Sequence, residues 1–129
     1  METKLMSYRE AINLAMSEEM RRDEDIYLMG EDVGIYGGDF GTSVGMFKEF
    51  GPDRVIDTPI SEAAIAGCAI GSSITGLRPI VDLTFMDFIT IALDAIVNQG
   101  AKLRYMFGGQ GIKVPVTIRC ASGSGIGWD

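Results

Sequence analysis

Glu62 is a lone carboxylate in a stretch that offers it little polar company. Residues 61–75 are built almost wholly from small and apolar side chains, with Ala63, Ala64, Ala66, Gly67, Cys68, Ala69 and Gly71 leaving scarcely any polar face. A helix of that composition is expected to be buried all round. Glu62, one residue inside it, is then expected to direct its carboxylate into a buried or interfacial pocket. The alternative is a solvated first-turn acid that complements the helix dipole. The 129 residues contain no histidine, which excludes serine–histidine and cysteine–histidine catalysis and histidine-based metal sites within this segment. Cys68 and Cys120 fall in no CxxC or Cys/His spacing, so neither a zinc site nor a disulfide framework is expected. Both lie in apolar stretches and read as small core residues. Chemistry here must use carboxylates, a cofactor or a partner's residues.

Two glycine-rich segments need weighing. Gly123-Ser124-Gly125-Ile126-Gly127 has a GxGxG spacing, but no helix-forming stretch follows it in the chain, so it is weak as a dinucleotide loop. Gly37-Gly38-Asp39-Phe40-Gly41 reads as a surface loop.

The elements that must position Glu62 follow from the pattern. Ser7 with Glu10 is a capping box and opens an amphipathic helix with Tyr8, Ala11, Ile12, Ala15 and Met16 on one face; residues 23–25 end it. Ile26-Tyr27-Leu28-Met29, closed by Gly30, is a buried strand. Residues 34–45 form a loop, residues 47–50 one helical turn, and Val55-Ile56 a very short strand. The helix over 61–75 ends at Gly76. Residues 79–84 are a third strand, and 88–106 a long helix with Phe88, Ile91, Ala92, Ala95, Ile96, Gln99 and Leu103 spaced by threes and fours. Gly108-Gly109 stops that helix, and residues 114–119 give a fourth strand. Strands alternating with helices predict an α/β fold with a mainly parallel sheet flanked by helices. Such sheets bind ligands outside the carboxyl ends of their strands, which points to residues 58–62 and 85–88.

Bulk properties narrow the classes. The length fits one domain, and 47% hydrophobic residues exclude disorder. Eleven basic against 18 acidic residues give a net charge of −7, the wrong sign for a protein that binds nucleic-acid backbone. Residues 17–32 hold seven acids and two arginines, a solvated helix end and loop. The most apolar stretch, 60–74, is broken by Glu62, glycines and a serine pair and is too short to span a bilayer. A cytoplasmic location is the default expectation.

The string Asp57-Thr58-Pro59-Ile60-Ser61-Glu62, followed by the alanine- and glycine-rich stretch, closely resembles the signature of β subunits of thiamine-diphosphate-dependent 2-oxo acid dehydrogenases. The resemblance extends through Gly30-Glu31-Asp32-Val33, Gly76-Leu77-Arg78-Pro79-Ile80, Phe85-Met86-Asp87-Phe88, Asn98 to Lys102, Arg104-Tyr105-Met106 and Gly108-Gly109. Order and spacing together carry it, over essentially the whole chain.

The resemblance implies a transketolase-like pyrimidine-binding domain. It implies that Glu62 hydrogen-bonds a ring nitrogen of the aminopyrimidine of thiamine diphosphate, promoting loss of the thiazolium proton so that the cofactor can attack a 2-oxo acid carbonyl. Phe88 matches the aromatic packed on that ring, Ile60 an apolar contact near the bent cofactor, and Glu31 an acid on an internal path between two cofactor sites. The superfamily's Gly-Asp-Gly metal motif is missing, which implies that diphosphate and magnesium belong to an α subunit. The implied assembly is a heterotetramer of two α and two β subunits serving a lipoyl acyltransferase, with pyruvate, a branched-chain oxo acid or acetoin as substrate. The family has a histidine soon after the segment ending here and a further C-terminal domain. Residues 1–129 are therefore expected to be the N-terminal part of a longer protein, inactive alone, with 122–129 a mobile tail. The alternatives are the pyrimidine domain of another transketolase-like enzyme, or a non-catalytic nucleotide-binding α/β module in which Glu62 is only a helix acid.

Overall fold

Every strand of the sheet runs in the same direction. In the computed structural model, which describes residues 5–109 and 111–123, four strands lie in the order β2-β1-β3-β4. They are β1 (Ile26–Gly30), β2 (Val55–Asp57), β3 (Arg78–Phe85) and β4 (Thr117–Ala121). All three neighbouring pairs are parallel, as predicted.

Alternation along β1 and β3 divides the core between two faces. Ile26, Leu28 and Ile80 pack with Met16 and Met20 of α1 (Tyr8–Arg22) and with Met46 of α2 (Met46–Phe50). Met29, Val81 and Leu83 pack with Ile65, Ala66, Ala69 and Ile70 of α3 (Glu62–Ile74) and with Ala92 and Ala95 beyond it. Helices thus cover both faces, the arrangement a parallel sheet needs to bury its apolar strands.

Local sequence sets the helix ends. The Ser7 side chain accepts from the Glu10 N–H, while the Ser7 N–H donates to Glu10 Oε2 at 2.7 Å. Asp23 is the C-cap of α1. Arg54 donates to the carbonyls of Met20 and Asp23, each at 2.8 Å, and to that of Ile26, tying the end of α1 to the sheet.

Several expectations are corrected. The buried stripe of α1 is Met16, Ser17 and Met20; Tyr8 is 86% exposed and Ala15 is also exposed, because Ile12 and Met16, not Tyr8, reach the sheet. The long helix is continuous in path but not in type. Met86–Phe88 is a 3₁₀ turn, followed by α4 (Ile89–Leu93), a π-helical segment Asp94–Gly100 and α5 (Ala101–Met106). Ala92 and Ala95 are buried, while Phe88, Ile91 and Gln99 are exposed; of these only Ala95 and Gln99 lie in the π segment, whose wider turns shift the helical phase. The fourth strand begins at Thr117, three residues later than predicted.

In the single chain, α3 is open on one side. Ala63, Ala64, Cys68 and Gly71 are exposed, and a Cβ on Gly67 or Gly71 would meet nothing within 4 Å. Cys68 is therefore no core residue here; Cys120 is half-buried against the α3-side core. The loop at residues 37–41 is also less superficial than predicted. Gly37 and Gly38 are buried, and Gly37, at φ +89°, leaves room for Val44, whose Cγ2 lies 2.7 Å from where a Cβ would stand. The Gly123–Gly127 spacing and the tail fall largely outside the described residues.

Candidate functional site

The connection after β1 leads to β2 on one side of the sheet, whereas the connection after β3 leads to β4 on the other. The crevice outside the carboxyl ends of β1 and β3 is therefore the topological switch point, where open α/β sheets bind ligands. Glu31 follows β1, Glu62 opens the helix after β2, and Phe88 closes the turn after β3. The four residues singled out in the sequence, Ile60 with Glu62 after β2, thus stand at the carboxyl edge on three successive strand exits.

Glu62 is 6% exposed. Its carboxylate has no hydrogen-bond or ion-pair partner among the described residues. Its oxygens are not fully enclosed, so a donor from outside the chain has access to them. Nearby in sequence, Thr58 Oγ1 is buried and without a hydrogen-bond partner among the described residues; the Thr58 N–H donates to the Gly30 carbonyl at 3.0 Å and fastens the exit of β2 to the end of β1.

Glu31 is half-buried. Burial first, and then the negative charges of Glu62, Asp39, Asp32 and Asp82, push its carboxyl above the ordinary value. The short run after β1 is fixed at both ends. Asp32 takes a left-handed conformation, φ +52°, and its carbonyl accepts from the Gly38 N–H at 2.7 Å. The Gly34 N–H donates to Asp57 Oδ1 at 2.6 Å. Glu31 lies between the end of β1 at Gly30 and the first of these anchors.

The aromatic side of the crevice is built edge to face. Phe85 meets Phe40 at 5.5 Å between ring centroids and Phe88 at 5.7 Å, with interplanar angles of 77° and 83°, the geometry that aromatic quadrupoles favour. Phe88 remains 41% exposed. Ile60 is 81% exposed in the segment between β2 and α3.

Sequence reasoning pointed to residues 85–88 but gave Phe85 no role, and it missed Phe40 and the pair Asp82–Arg119. Arg119 on β4 is ion-paired with Asp82 in the middle of β3, with side chains only 17% and 10% exposed. The available signal was a lone charge inside each of two otherwise apolar strands. Among the described residues, no group of three or more His, Cys, Asp or Glu side chains is placed to hold a metal ion, and no helix is long and apolar enough to cross a membrane.

A parallel sheet clothed on both faces, with a buried acid and an aromatic edge at its switch point, defines a three-layer α/β domain. Residues 4–127 match the family described as "Transketolase, pyrimidine binding domain", and the chain belongs to that family. Among characterised proteins it is 45% identical to the 2-oxoisovalerate dehydrogenase subunit beta of Bacillus subtilis, over 95% of this chain and 37% of that protein. It is 46% identical to the acetoin:2,6-dichlorophenolindophenol oxidoreductase subunit beta of the same organism, over 95% of this chain and 39% of that one. It is 45% identical to the mitochondrial pyruvate dehydrogenase E1 component subunit beta-1 of Oryza sativa subsp. japonica, over 96% of this chain and 33% of that protein. The chain spans between a third and two fifths of the length of these relatives.

Proposed function

We propose that this chain is the aminopyrimidine-binding domain of the β subunit of a thiamine-diphosphate-dependent dehydrogenase component, which decarboxylates a 2-oxo acid or cleaves acetoin and passes the acyl unit to a lipoyl group. The observation that carries the proposal is the buried carboxylate of Glu62, unpartnered among the described residues, at the switch point. Similarity to β subunits acting on three different substrates supports the class without choosing among them.

The residues present fit the pyrimidine half of the cofactor. Glu62 offers an acceptor, or in its protonated form a donor, to a ring nitrogen, from a largely buried residue. Phe88, partly exposed, offers a surface for the flat ring, and Ile60 an apolar contact. Glu31 has a raised proton affinity, caused by burial first and then by the charge of Glu62 and other acids, which suits a group on a proton path. Thiamine diphosphate, when bound, supplies the nucleophilic carbon and the electron sink for cleavage beside the carbonyl. Diphosphate and magnesium are assigned to an α subunit, in a heterotetramer of two α and two β subunits that works with a lipoyl acyltransferase. On the same view residues 1–129 are the N-terminal domain of a longer β subunit and are inactive alone.

The test is an assay of the full-length protein assembled with its α subunit, with and without thiamine diphosphate and magnesium. Pyruvate, branched-chain 2-oxo acids and acetoin are supplied in turn with an artificial electron acceptor. Cofactor-dependent turnover of at least one substrate is expected. No turnover and no cofactor binding would remove the proposal.

A further inference from the structure

The end of β3 carries one residue too many for its partner strand. Asp82 lies opposite Arg119, but the next aligned pair is Phe85 with Ala121, so three steps along β3 match two along β4. The extra residue is a bulge, a device that re-aims side chains beside functional sites. Its consequence can be read from alternation. Val81 and Leu83 face α3, and an unbroken strand would send Phe85 the same way. Opposite Ala121, Phe85 instead shares a face with Asp82 and Arg119, where its ring meets Phe40 and Phe88.

The bulge holds a strained residue. Thr84 has φ +59°, an unusual conformation for a β-branched side chain, and it is buried. Such a conformation persists only when its surroundings over-determine it. Asp82 Oδ1 accepts the Thr84 N–H at 2.9 Å, while Asp82 Oδ2 is bound by the guanidinium of Arg119. One carboxylate thereby ties the strained amide to the neighbouring strand.

We propose that Asp82 is a positioning residue: clamped by Arg119, it holds Thr84 in its left-handed conformation, and so turns Phe85 onto the Phe40 face and sets the aromatic wall that ends at Phe88. The bend itself is independent of any ligand; its bearing on cofactor binding rests on the function proposed above.

Asp82→Ala with Arg119→Met removes the pair without stranding a charge. Adding Thr84→Gly then supplies a residue that accepts positive φ unaided. Crystal structures of both variants in the full-length assembly read the bend with no cofactor present. Residue 84 is expected to leave the left-handed region and Phe85 to leave Phe40 in the double variant, and both to return in the triple variant. In parallel, the dissociation constant for thiamine diphosphate is expected to rise about tenfold or more in the double variant and to recover most of that loss in the triple one. An unmoved Thr84 and Phe85 in the double variant overturns the inference. So does weakened binding that glycine fails to restore, because a merely stabilising ion pair would not be rescued at residue 84. If the wild-type assembly binds no cofactor, the functional proposal fails and the two structures still decide the bend. Asp82→Leu with Arg119→Met, which refills the volume, repeats the comparison if the alanine form does not fold.

Discussion

Gly30 and Asp82 lie opposite each other in the paired strands β1 and β3, so close that a Cβ on Gly30 would stand 2.7 Å from the Asp82 carbonyl oxygen and 2.9 Å from its Cβ. The obstructing oxygen is backbone and cannot rotate away. The near approach brings the exit of β1, and with it Glu31, against the bulged end of β3. Four residues on, Gly34 is also confined, but by a side chain: a Cβ there would fall 2.8 Å from Asp57 Cγ, whose carboxylate could swing aside.

That contrast gives the first prediction. Gly30→Ala must push two central strands apart and is expected to destabilise the protein by about 1–3 kcal/mol, as overpacking does. Gly34→Ala should cost less, chiefly the charged hydrogen bond from the Gly34 N–H to Asp57. Urea unfolding of the two full-length variants measures both. Equal losses, or a larger one for Gly34→Ala, would contradict the close strand approach.

A second prediction follows from Glu31. Its folded-state pKa is raised, by burial first and then by neighbouring acids. Below the unfolded value, about 4.3, the group is protonated in both states and costs nothing. As pH rises through the raised folded value, the folded state must release a proton it holds more tightly than the unfolded one, and stability falls. Glu31→Gln should therefore raise the melting temperature at pH 7 and leave it unchanged near pH 4. A gain independent of pH would show that charge is not the cause.

The third concerns the open side of α3. Because a Cβ at Gly67 meets nothing within 4 Å, Gly67→Leu is expected to leave the chain folded while obstructing whatever packs there. In the full-length protein, with overpacking at about 1–3 kcal/mol, assembly should weaken and circular dichroism stay the same. Unchanged mass by light scattering at micromolar concentration would argue that this face is not an interface.

The fourth is that residues 1–129 alone bind thiamine diphosphate weakly or not at all. A net hydrogen bond contributes roughly 0.5–1.5 kcal/mol and an aromatic contact a similar amount, against the ~8 kcal/mol of micromolar affinity. Isothermal titration with cofactor and magnesium checks it. Micromolar binding would mean a complete site within this chain.

What was legible in the sequence was local or periodic. The Ser7–Glu10 box, the Gly30 strand end and the buried acid at Glu62 each depend on residues within a few positions of one another. Features that depend on distant residues were not legible. The Asp82–Arg119 pair and the Phe85 turn require the β3–β4 register, which no local pattern states. The π-helical segment Asp94–Gly100 leaves spacings of three and four intact on paper, so Gln99 reads as part of the apolar face and is exposed; Phe88 and Ile91, ahead of that segment, are apolar and exposed in the single chain. The composition of α3 predicts burial on all sides; apolar composition does not distinguish burial within a chain from burial against another.

The central claim is that Glu62 engages the cofactor's aminopyrimidine and thereby drives loss of the thiazolium proton. Its most direct measurement is hydrogen–deuterium exchange at that carbon, in the full-length protein assembled with its α subunit, for wild type and Glu62→Gln. Positioned proton-transfer groups contribute about 10²–10⁴-fold. The account predicts exchange slowed by at least the lower of those factors, with fold and assembly intact. Exchange at close to the wild-type rate would contradict it.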